Sequence, residues 1–314
     1  MIHALSLNAA LAESVWFREP TGSVERDLPM DFGGPSVACK AVNAFRTIQA
    51  LEPGRHRLLI SLGGERGQRI AHLLGADGVP HEPLPRTVEN RRTLVIFRRR
   101  RGAGYDSWEW KGEARLSASE LAALVDRVSH VALRGTLVLV SGTPPALPRE
   151  FSWSPLFDAL GAAGARVVLD SSQWRAVMAG GFTPWVLKIN RAEWGRGAPT
   201  QRLLVSQMQR LARRRSMHAV IVTDGRRGAH AATADAAWRV WLEPREGVVY
   251  PIGSGDAFAG GLCVALDRGE SIEKALELAT LCAFENLSSP QPGEVDPARF
   301  KHWAKRVNVR RLAG

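Results

Sequence analysis

The sequence predicts an α/β fold with a mostly parallel central sheet and a small accessory β-sheet, and three observations carry that prediction. Six short apolar runs have the length of buried strands: Ile2 to Leu7, Leu58 to Leu62, Thr136 to Ser141, Val167 to Asp170, Val186 to Lys188 and Val220 to Thr223. Helical patterns lie among and beyond them, at 36–51, 65–75, 117–130, 154–164, 200–214, 256–268 and 271–287. Repeated β–α alternation implies parallel strands with both faces covered by helices. The third observation is where this rhythm breaks. Residues 12–30 and about 84–112 are rich in β-formers and charge, and Arg91 to Phe97 and Ser107 to Trp110 alternate as a half-buried strand does. These two stretches are expected to pair as a separate small sheet above the main one. Trp108 and Trp110, two apart, share one face of such a strand, either as an exposed apolar patch or packed inward.

The chain of 314 residues, 45% hydrophobic and 23% charged, is long enough for one large domain, and no linker demands a second. The expectation is one domain over 1–314, with 12–30 and 84–112 as insertions in it. No apolar run approaches the ~20 residues that span a bilayer, and residues 1–20 lack a basic segment followed by an apolar stretch, so a cytoplasmic protein without membrane contact is expected. Cys39, Cys263 and Cys282 sit in apolar helical patterns, as buried thiols do, which argues against redox and zinc chemistry. A net charge of +11 suits acidic small ligands and also nucleic acid. The densest run, Arg98 to Arg101, precedes Gly102 and reads as a solvated loop or hairpin tip. No recognition-helix, zinc-finger or stacking-aromatic signature accompanies it, so nucleic acid is not an expected partner. Arg213, Arg214 and Arg215 close a helical pattern, where cations favour the negative pole.

The run from Val249 to Gly261 carries the clearest chemistry. Gly253 and Gly255 permit a tight turn, so that the amides of Ser254, Gly255 and Asp256 can converge at the positive end of a helix and attract an anion. Asp256 beside them could take a proton from an attacking hydroxyl while the amides hold charge on a moving phosphoryl group. An aspartate capping an ordinary helix has the same local sequence.

Taken together, the motifs resemble the ribokinase-like sugar kinases of PfkB type, in the branch of 1-phosphofructokinases and tagatose-6-phosphate kinases. The likeness runs along nearly the whole chain. Leu5 to Leu11 is similar to the opening T-x-N-P-A-L-D, Gly33-Gly34 with an apolar helix after it to G-G-K-G-x-N, and Leu62 to Gly67 to G-G-x-x-G. Ser141 to Pro145 is similar to S-G-S-L-P-P, Lys188 to Glu193 to K-P-N-x-x-E, and Thr223 to Gly228 with Gly253 to Asp256 to the nucleotide motifs. The order and spacing of these pieces make the match specific where each alone would be weak.

The resemblance implies a three-layer α/β/α fold whose accessory sheet is a lid over the acceptor, with ATP and Mg²⁺ as cofactors. It implies Asp256 as the base and Gly253, Ser254 and Gly255 as the anion hole for the γ-phosphate. Lys188 would meet nucleotide phosphate, Asn190 and Glu193 a hydrated Mg²⁺, and Thr223, Gly225, Gly228 and Asn286 the rest of the nucleotide. Without the resemblance, Asn190 and Glu193 read equally well as a helix N-cap with its capping-box glutamate. Gly33, Gly34, Ser141 and Arg91 would meet the acceptor, Arg91 gripping its phosphate, with Arg92 a rival because a one-residue slip exchanges their faces. Relatives often dimerise through the lid, so a homodimer is implied.

The acceptor half departs from the pattern. Ala12 stands where an aspartate receives sugar hydroxyls, and Pro35, Ser36 and Ala38 replace the lysine, third glycine and asparagine of G-G-K-G-x-N. Lys40, five positions past the expected lysine, is expected to face another way on the same helix. Pro251 replaces a threonine frequent before the catalytic motif. The function expected is therefore an ATP-dependent kinase of a sugar, most naturally a hexose phosphate. The alternatives are a kinase of an unphosphorylated sugar or nucleoside, and a non-catalytic homologue that binds nucleotide or metabolite.

Overall fold

The computed structural model describes residues 1–17, 29–99, 105–131, 134–243 and 250–312. Val249, Arg100, Arg101, Gly102 and the 18–28 part of the expected lid lie outside the described residues.

Fourteen strands are described, in chain order β1 (Ile2–Ser6), β2 (Ala10–Phe17), β3 (Pro29–Ala38), β4 (Arg57–Leu62), β5 (His81–Pro85), β6 (Arg91–Arg99), β7 (Tyr105–Lys111), β8 (Leu137–Ser141), β9 (Arg166–Asp170), β10 (Val186–Asn190), β11 (Ala219–Thr223), β12 (Ala229–Ala232), β13 (Ala237–Leu242) and β14 (Val307–Leu312). Ten form the central sheet in the order β14-β13-β12-β11-β10-β9-β8-β1-β4-β5. Seven of them, β5 to β11 across that order, run parallel, and β12, β13 and β14 turn back antiparallel at one edge. Ten helices are described: α1 (Lys40–Leu51), α2 (Gly64–Ala76), α3 (Ala118–Ser129), α4 (Ser154–Ala162), α5 (Trp174–Ala179), α6 (Arg191–Trp194), α7 (Gln201–Arg214), α8 (Ser254–Asp267), α9 (Ile272–Asn286) and α10 (Phe300–Ala304).

The strand pleat sends alternate residues to opposite layers. On β8, Leu137 and Leu139 join Phe45, Ile48, Leu74, Leu262 and Leu276 on the face covered by α1, α2, α8 and α9. Val138 and Val140 join Leu124, Phe157, Leu160, Val177 and Met208 on the face covered by α3, α4, α5 and α7. This is the three-layer arrangement expected. Truncating such a fully buried leucine costs about 2–5 kcal/mol through the cavity it leaves.

The accessory sheet has the order β3-β2-β6-β7, with β2 parallel to β6 and the other pairs antiparallel. Two expectations need correction. Residues 36–38 are strand, since Ser36, Val37 and Ala38 pair with Ala12, Leu11 and Ala10, and α1 begins only at Lys40. A strand partner thereby overrides an apolar pattern too short to distinguish helix from strand. Residues 84 and 85 belong to β5 of the central sheet. The antiparallel edge was not anticipated, because Ala229–Ala232 is alanine-rich and is held as strand by its neighbours rather than by propensity.

Candidate active site

The carboxyl ends of the parallel strands meet the accessory sheet in a cleft of about 860 Å³. Open α/β sheets place ligands at this edge because the strands end there and helix N-termini point inward. Asn8, Gly33, Gly34, Lys40, Asn43, Arg91, Ser141, Gly253 and Asp256 all line it.

Asp256 lies in the first turn of α8, which starts directly after Gly253. Gly253 has φ +88°, and a Cβ there would sit 2.7 Å from Pro292 Cα, so both backbone and space demand glycine. The Asp256 amide donates to Gly253 O at 3.0 Å, which removes it from the expected nest. The Ser254 amide is held only at 3.4 Å, by Pro251 O, and the Gly255 amide has no partner among the described residues. The Asp256 side chain is 8% exposed, and Asn43 Nδ2 donates to its Oδ2 at 2.8 Å. Burial pushes its pKa up to about 6; the Asp170 charge adds to the rise, while Lys40, Asn43 and Lys188 oppose it. A carboxylate tuned near neutrality at a helix N-terminus can accept a proton at physiological pH.

Behind Asp256 lies a network of buried charge that the sequence reading largely missed. Asp170, at the end of β9, is fully buried. Lys188 Nζ reaches Asp170 Oδ2 at 3.0 Å and Gly255 O at 2.9 Å, and Ser141 Oγ donates to the same Oδ2 at 3.3 Å. Burial works against the Asp170 charge, yet the ammoniums of Lys188 and Lys40 outweigh it and hold its pKa below the usual range. Lys40 does not face away: its Nζ stands 3.6 Å from Asp170 Oδ1 and 3.4 Å from Glu193 Oε1. The reason is the corrected helix start. Residues 36–38 are extended, so direction counted along a continuous helix from Pro35 does not apply. Asp170 carried a signal, a charge ending an apolar strand at the ligand edge. Asn43 carried a weaker one, an amide within the buried run Ala41 to Phe45.

Asn190 and Glu193 form a reciprocal capping box at the start of α6. Asn190 Oδ1 accepts from the Glu193 amide at 2.8 Å, and Glu193 Oε2 from the Asn190 amide at 3.0 Å. The capping box weighed from sequence is therefore present.

On the acceptor side, Asn90 is fully buried and bonds Gly63 N, Ala9 O and Ser61 O, which fixes the chain where it enters the accessory sheet. Arg91 follows it into the cleft. Its Nε donates to Asn8 O at 3.3 Å, while Nη1 is buried with no partner among the described residues. Arg92 points to the opposite side and pairs with Glu13 at 2.5 Å. The register therefore selects Arg91 over Arg92 for the main cleft. Ala12 lines the cleft, as do Glu109 and Lys111 from β7, which bond each other at 2.9 Å. Farther along the same face, Trp16 stacks on Phe97 with centroids 4.0 Å apart. Cys39, expected buried, is half-buried on the cleft wall with Sγ 2.9 Å from Ser6 Oγ; Cys263 and Cys282 are buried.

Thr223 ends β11, and Gly225 and Gly228 shape the 3₁₀ turn into β12, with φ of +53° and +87°. A Cβ on Gly228 would meet Val240 O at 2.0 Å. Asn286 is fully buried at the end of α9; its Nδ2 donates to Gln291 O and Glu294 O and so closes the 291–294 turn against Gly253. Its Oδ1 has no partner among the described residues. Neither Asn286 nor the Thr223 turn lines the main cleft.

Comparison with known proteins adds an independent line. A family model described as pfkB family carbohydrate kinase matches residues 14–299. The chain is 26% identical over 299 residues to the ATP-dependent 6-phosphofructokinase isozyme 2 of Mycobacterium tuberculosis, covering 92% of this chain and 84% of that one. It is 29% identical to the 1-phosphofructokinase of Xanthomonas campestris, over 62% of this chain and 64% of that one. Among solved structures, the possible 1-phosphofructokinase of Thermotoga maritima superposes with a TM-score of 0.85 at 16% identity, covering both chains fully. Phosphofructokinase-2 of Escherichia coli in complex with fructose-6-phosphate gives 0.80 at 18% identity, covering 96% of this chain and 99% of that one. At such identities the superpositions speak to the fold alone.

Proposed function

The chain belongs to the pfkB family of carbohydrate kinases, a family of phosphotransferases acting on alcohol groups, and from that premise we propose that it moves the γ-phosphate of ATP to a hydroxyl of a phosphorylated sugar. One observation carries the proposal. A carboxylate with its pKa near 6 sits beside an unpartnered helix-terminal amide, in the same cleft as a half-buried arginine, Arg91, whose buried Nη1 has no partner among the described residues.

In this reading the acceptor hydroxyl gives its proton to Asp256 as its oxygen bonds the γ-phosphorus and the bond to the ADP oxygen breaks. The Gly255 amide, with Ser254 and the turn at Gly253, stabilises charge on the transferring group. Lys188 holds this turn through Gly255 O and puts a positive charge beside it, where it would face nucleotide phosphate. Thr223, Gly225, Gly228 and Asn286 border the nucleotide. Gly33, Gly34 and Ser141 line the acceptor side, and Arg91 binds the acceptor's phosphate. Asn190 and Glu193 already satisfy one another, so they suit a hydrated Mg²⁺ held through water better than a direct ion. Such an ion would neutralise charge on the phosphates.

The acceptor itself is narrowed by two opposing features. Ala12 and Ala38 remove hydroxyl-binding groups, which favours an altered or neutral acceptor; the free donor of Arg91 favours an anionic one. We give the Arg91 donor more weight, because a buried guanidinium N–H without a partner is costly unless a ligand meets it. Among the described residues no helix is long and apolar enough to cross a membrane, and a cytoplasmic kinase is the reading this favours. The outer face of the accessory sheet supports a homodimer: Trp108 and Trp110 are 52% and 63% exposed, beside Ile96 and Leu94 on the neighbouring strand.

The test is ATP consumption with Mg²⁺ over fructose 1-phosphate, fructose 6-phosphate, tagatose 6-phosphate, fructose, ribose and nucleosides. Turnover on a phosphorylated sugar is expected. Turnover confined to neutral acceptors overturns the acceptor class, and ATP binding without any turnover overturns the kinase reading.

A further inference from the structure

Helix α1 presents a polar stripe to the base. Lys40, Asn43 and Arg46 are spaced three apart, which places them along one side of the helix, and all three line the cleft. The rest of these turns is apolar and buried through Ala41, Val42, Ala44, Phe45 and Ile48.

The hydrogen bonds run in one direction. Arg46 is anchored by Asp77 at 2.8 Å and by Pro292 O at 3.4 Å, and its Nη1 donates to Asn43 Oδ1 at 3.3 Å. Asn43 Nδ2 donates in turn to Asp256 Oδ2 at 2.8 Å. Only this orientation of the amide suits both neighbours, since a guanidinium only donates and a carboxylate only accepts. A guanidinium on the amide oxygen polarises the N–H that points at the base.

Lys40 occupies the first position of α1, at the positive pole of the helix, with no acidic residue in that turn. A cation there is locally unfavourable. Its compensation lies across the cleft, in Asp170 and Glu193, and its field reaches Asp256. A local rule broken in favour of a distant group marks functional design more often than accident. The spacing between stripe and base is set by backbone: a Cβ on Gly260 of α8 would meet Ala44 O at 2.5 Å, and Thr47 Oγ1 donates to Gly293 O at 2.7 Å.

We propose that Asn43 is a positioning residue that clamps Asp256, fixing the carboxylate by Oδ2 so that Oδ1 is left for the acceptor hydroxyl, and that Lys40, one turn away on the same stripe and paired with Asp170 and Glu193, is the positioning charge beside it. The inference rests on Asp256 being the base. The charged groups facing Asp256 are Lys40 from α1, Asp170 from β9 and Lys188 from β10, and of the cations Lys40 acts most strongly on it. Removing Lys40 therefore raises the pKa of Asp256, and the acid limb of the rate profile moves to higher pH.

Lys40→Met, Lys40→Arg and Asn43→Leu separate this from a merely structural role. Lys40 has a side chain 37% exposed and faces the buried Asp170, so Lys40→Arg, which keeps that charge, separates the electrostatic effect from any loss of folding. The expected result for Lys40→Met is an acid limb of kcat/KM moved up from near pH 6 by about one unit or more, a roughly fivefold or larger loss at pH 6 that shrinks by pH 8.5, and restoration in Lys40→Arg. Asn43→Leu is expected to lower kcat more than it changes KM, and to move the limb in the same direction. The Asp256 carboxyl resonance in carbon-13-labelled protein, titrated without substrate, should shift with the limb. An unmoved resonance and limb in both variants, even with a slower rate, overturns the clamp. Absence of wild-type turnover overturns the kinase reading instead, and leaves the carboxyl titration to decide the clamp.

Discussion

Replacing Arg91 by alanine distinguishes a guanidinium kept for a ligand from one that holds the fold together. Among the described residues its guanidinium makes one hydrogen bond, the 3.3 Å contact to Asn8 O at the long end of the range, while Nη1 is buried without a partner. A buried unsatisfied donor costs about 1–3 kcal/mol, and the lost bond contributes about 1 kcal/mol, so the substitution should leave the protein as stable as wild type or up to about 2 kcal/mol more stable. A two-bond guanidinium–phosphate contact is another matter. Charge-assisted bonds contribute about 1.5–3 kcal/mol each, and a loss of about 3 kcal/mol corresponds to roughly a hundredfold in KM for a phosphorylated acceptor. The assay is steady-state ATP turnover on the phosphosugar the wild type accepts, beside thermal melting of both proteins. A KM unchanged within threefold, together with a fall of several degrees in melting temperature, would refute the assignment of Arg91 to phosphate.

Other outcomes follow from the same geometry. Gly253→Ala places a Cβ on a φ of +88° and against Pro292, and should cost at least ~2 kcal/mol and most of the activity, read by urea unfolding and turnover. Glu120 accepts bonds from Thr87 N and Oγ1, Val88 N, and Ser117 N and Oγ. Burial alone would raise its pKa, but those bonds hold it down to about 2. A depressed carboxylate stabilises the fold above its unfolded pKa, and that contribution is lost as pH falls from about 4.5 towards 2. The difference in urea midpoint between wild type and Glu120→Gln should accordingly be full at pH 7 and shrink below pH 4. Replacing both Trp108 and Trp110 by lysine should leave turnover per chain intact if the lid stays folded and convert a dimer to monomer in sedimentation; an unchanged dimer would place the contact elsewhere.

What the sequence made legible follows from which signals are local. Continuous apolar runs marked β1, β4, β8, β9, β10 and β11 because strands buried on both faces cannot alternate. The glycine motif marked the start of α8 because a positive φ at Gly253 leaves little choice of residue. Residues 36–38 misled for the converse reason, their strand character coming from pairing with β2 across more than twenty residues of chain. The charge network was hidden in the same way. Lys40, Asn43 and Asp170 come from α1 and β9 and reach Asp256 on α8 only through the fold. Arg92 remained a rival to Arg91 until register gave each a face.

The central claim is that Asp256 takes the acceptor's proton, and its most direct test is Asp256→Asn assayed for ATP affinity and turnover in parallel. Asparagine keeps the size of the side chain but loses the negative charge and most of the basicity. The account predicts ATP binding within about threefold of wild type and a kcat lowered at least a thousandfold, the scale of a lost general base joined to a disturbed phosphoryl site. A variant that binds ATP and turns over within tenfold of wild type would contradict it.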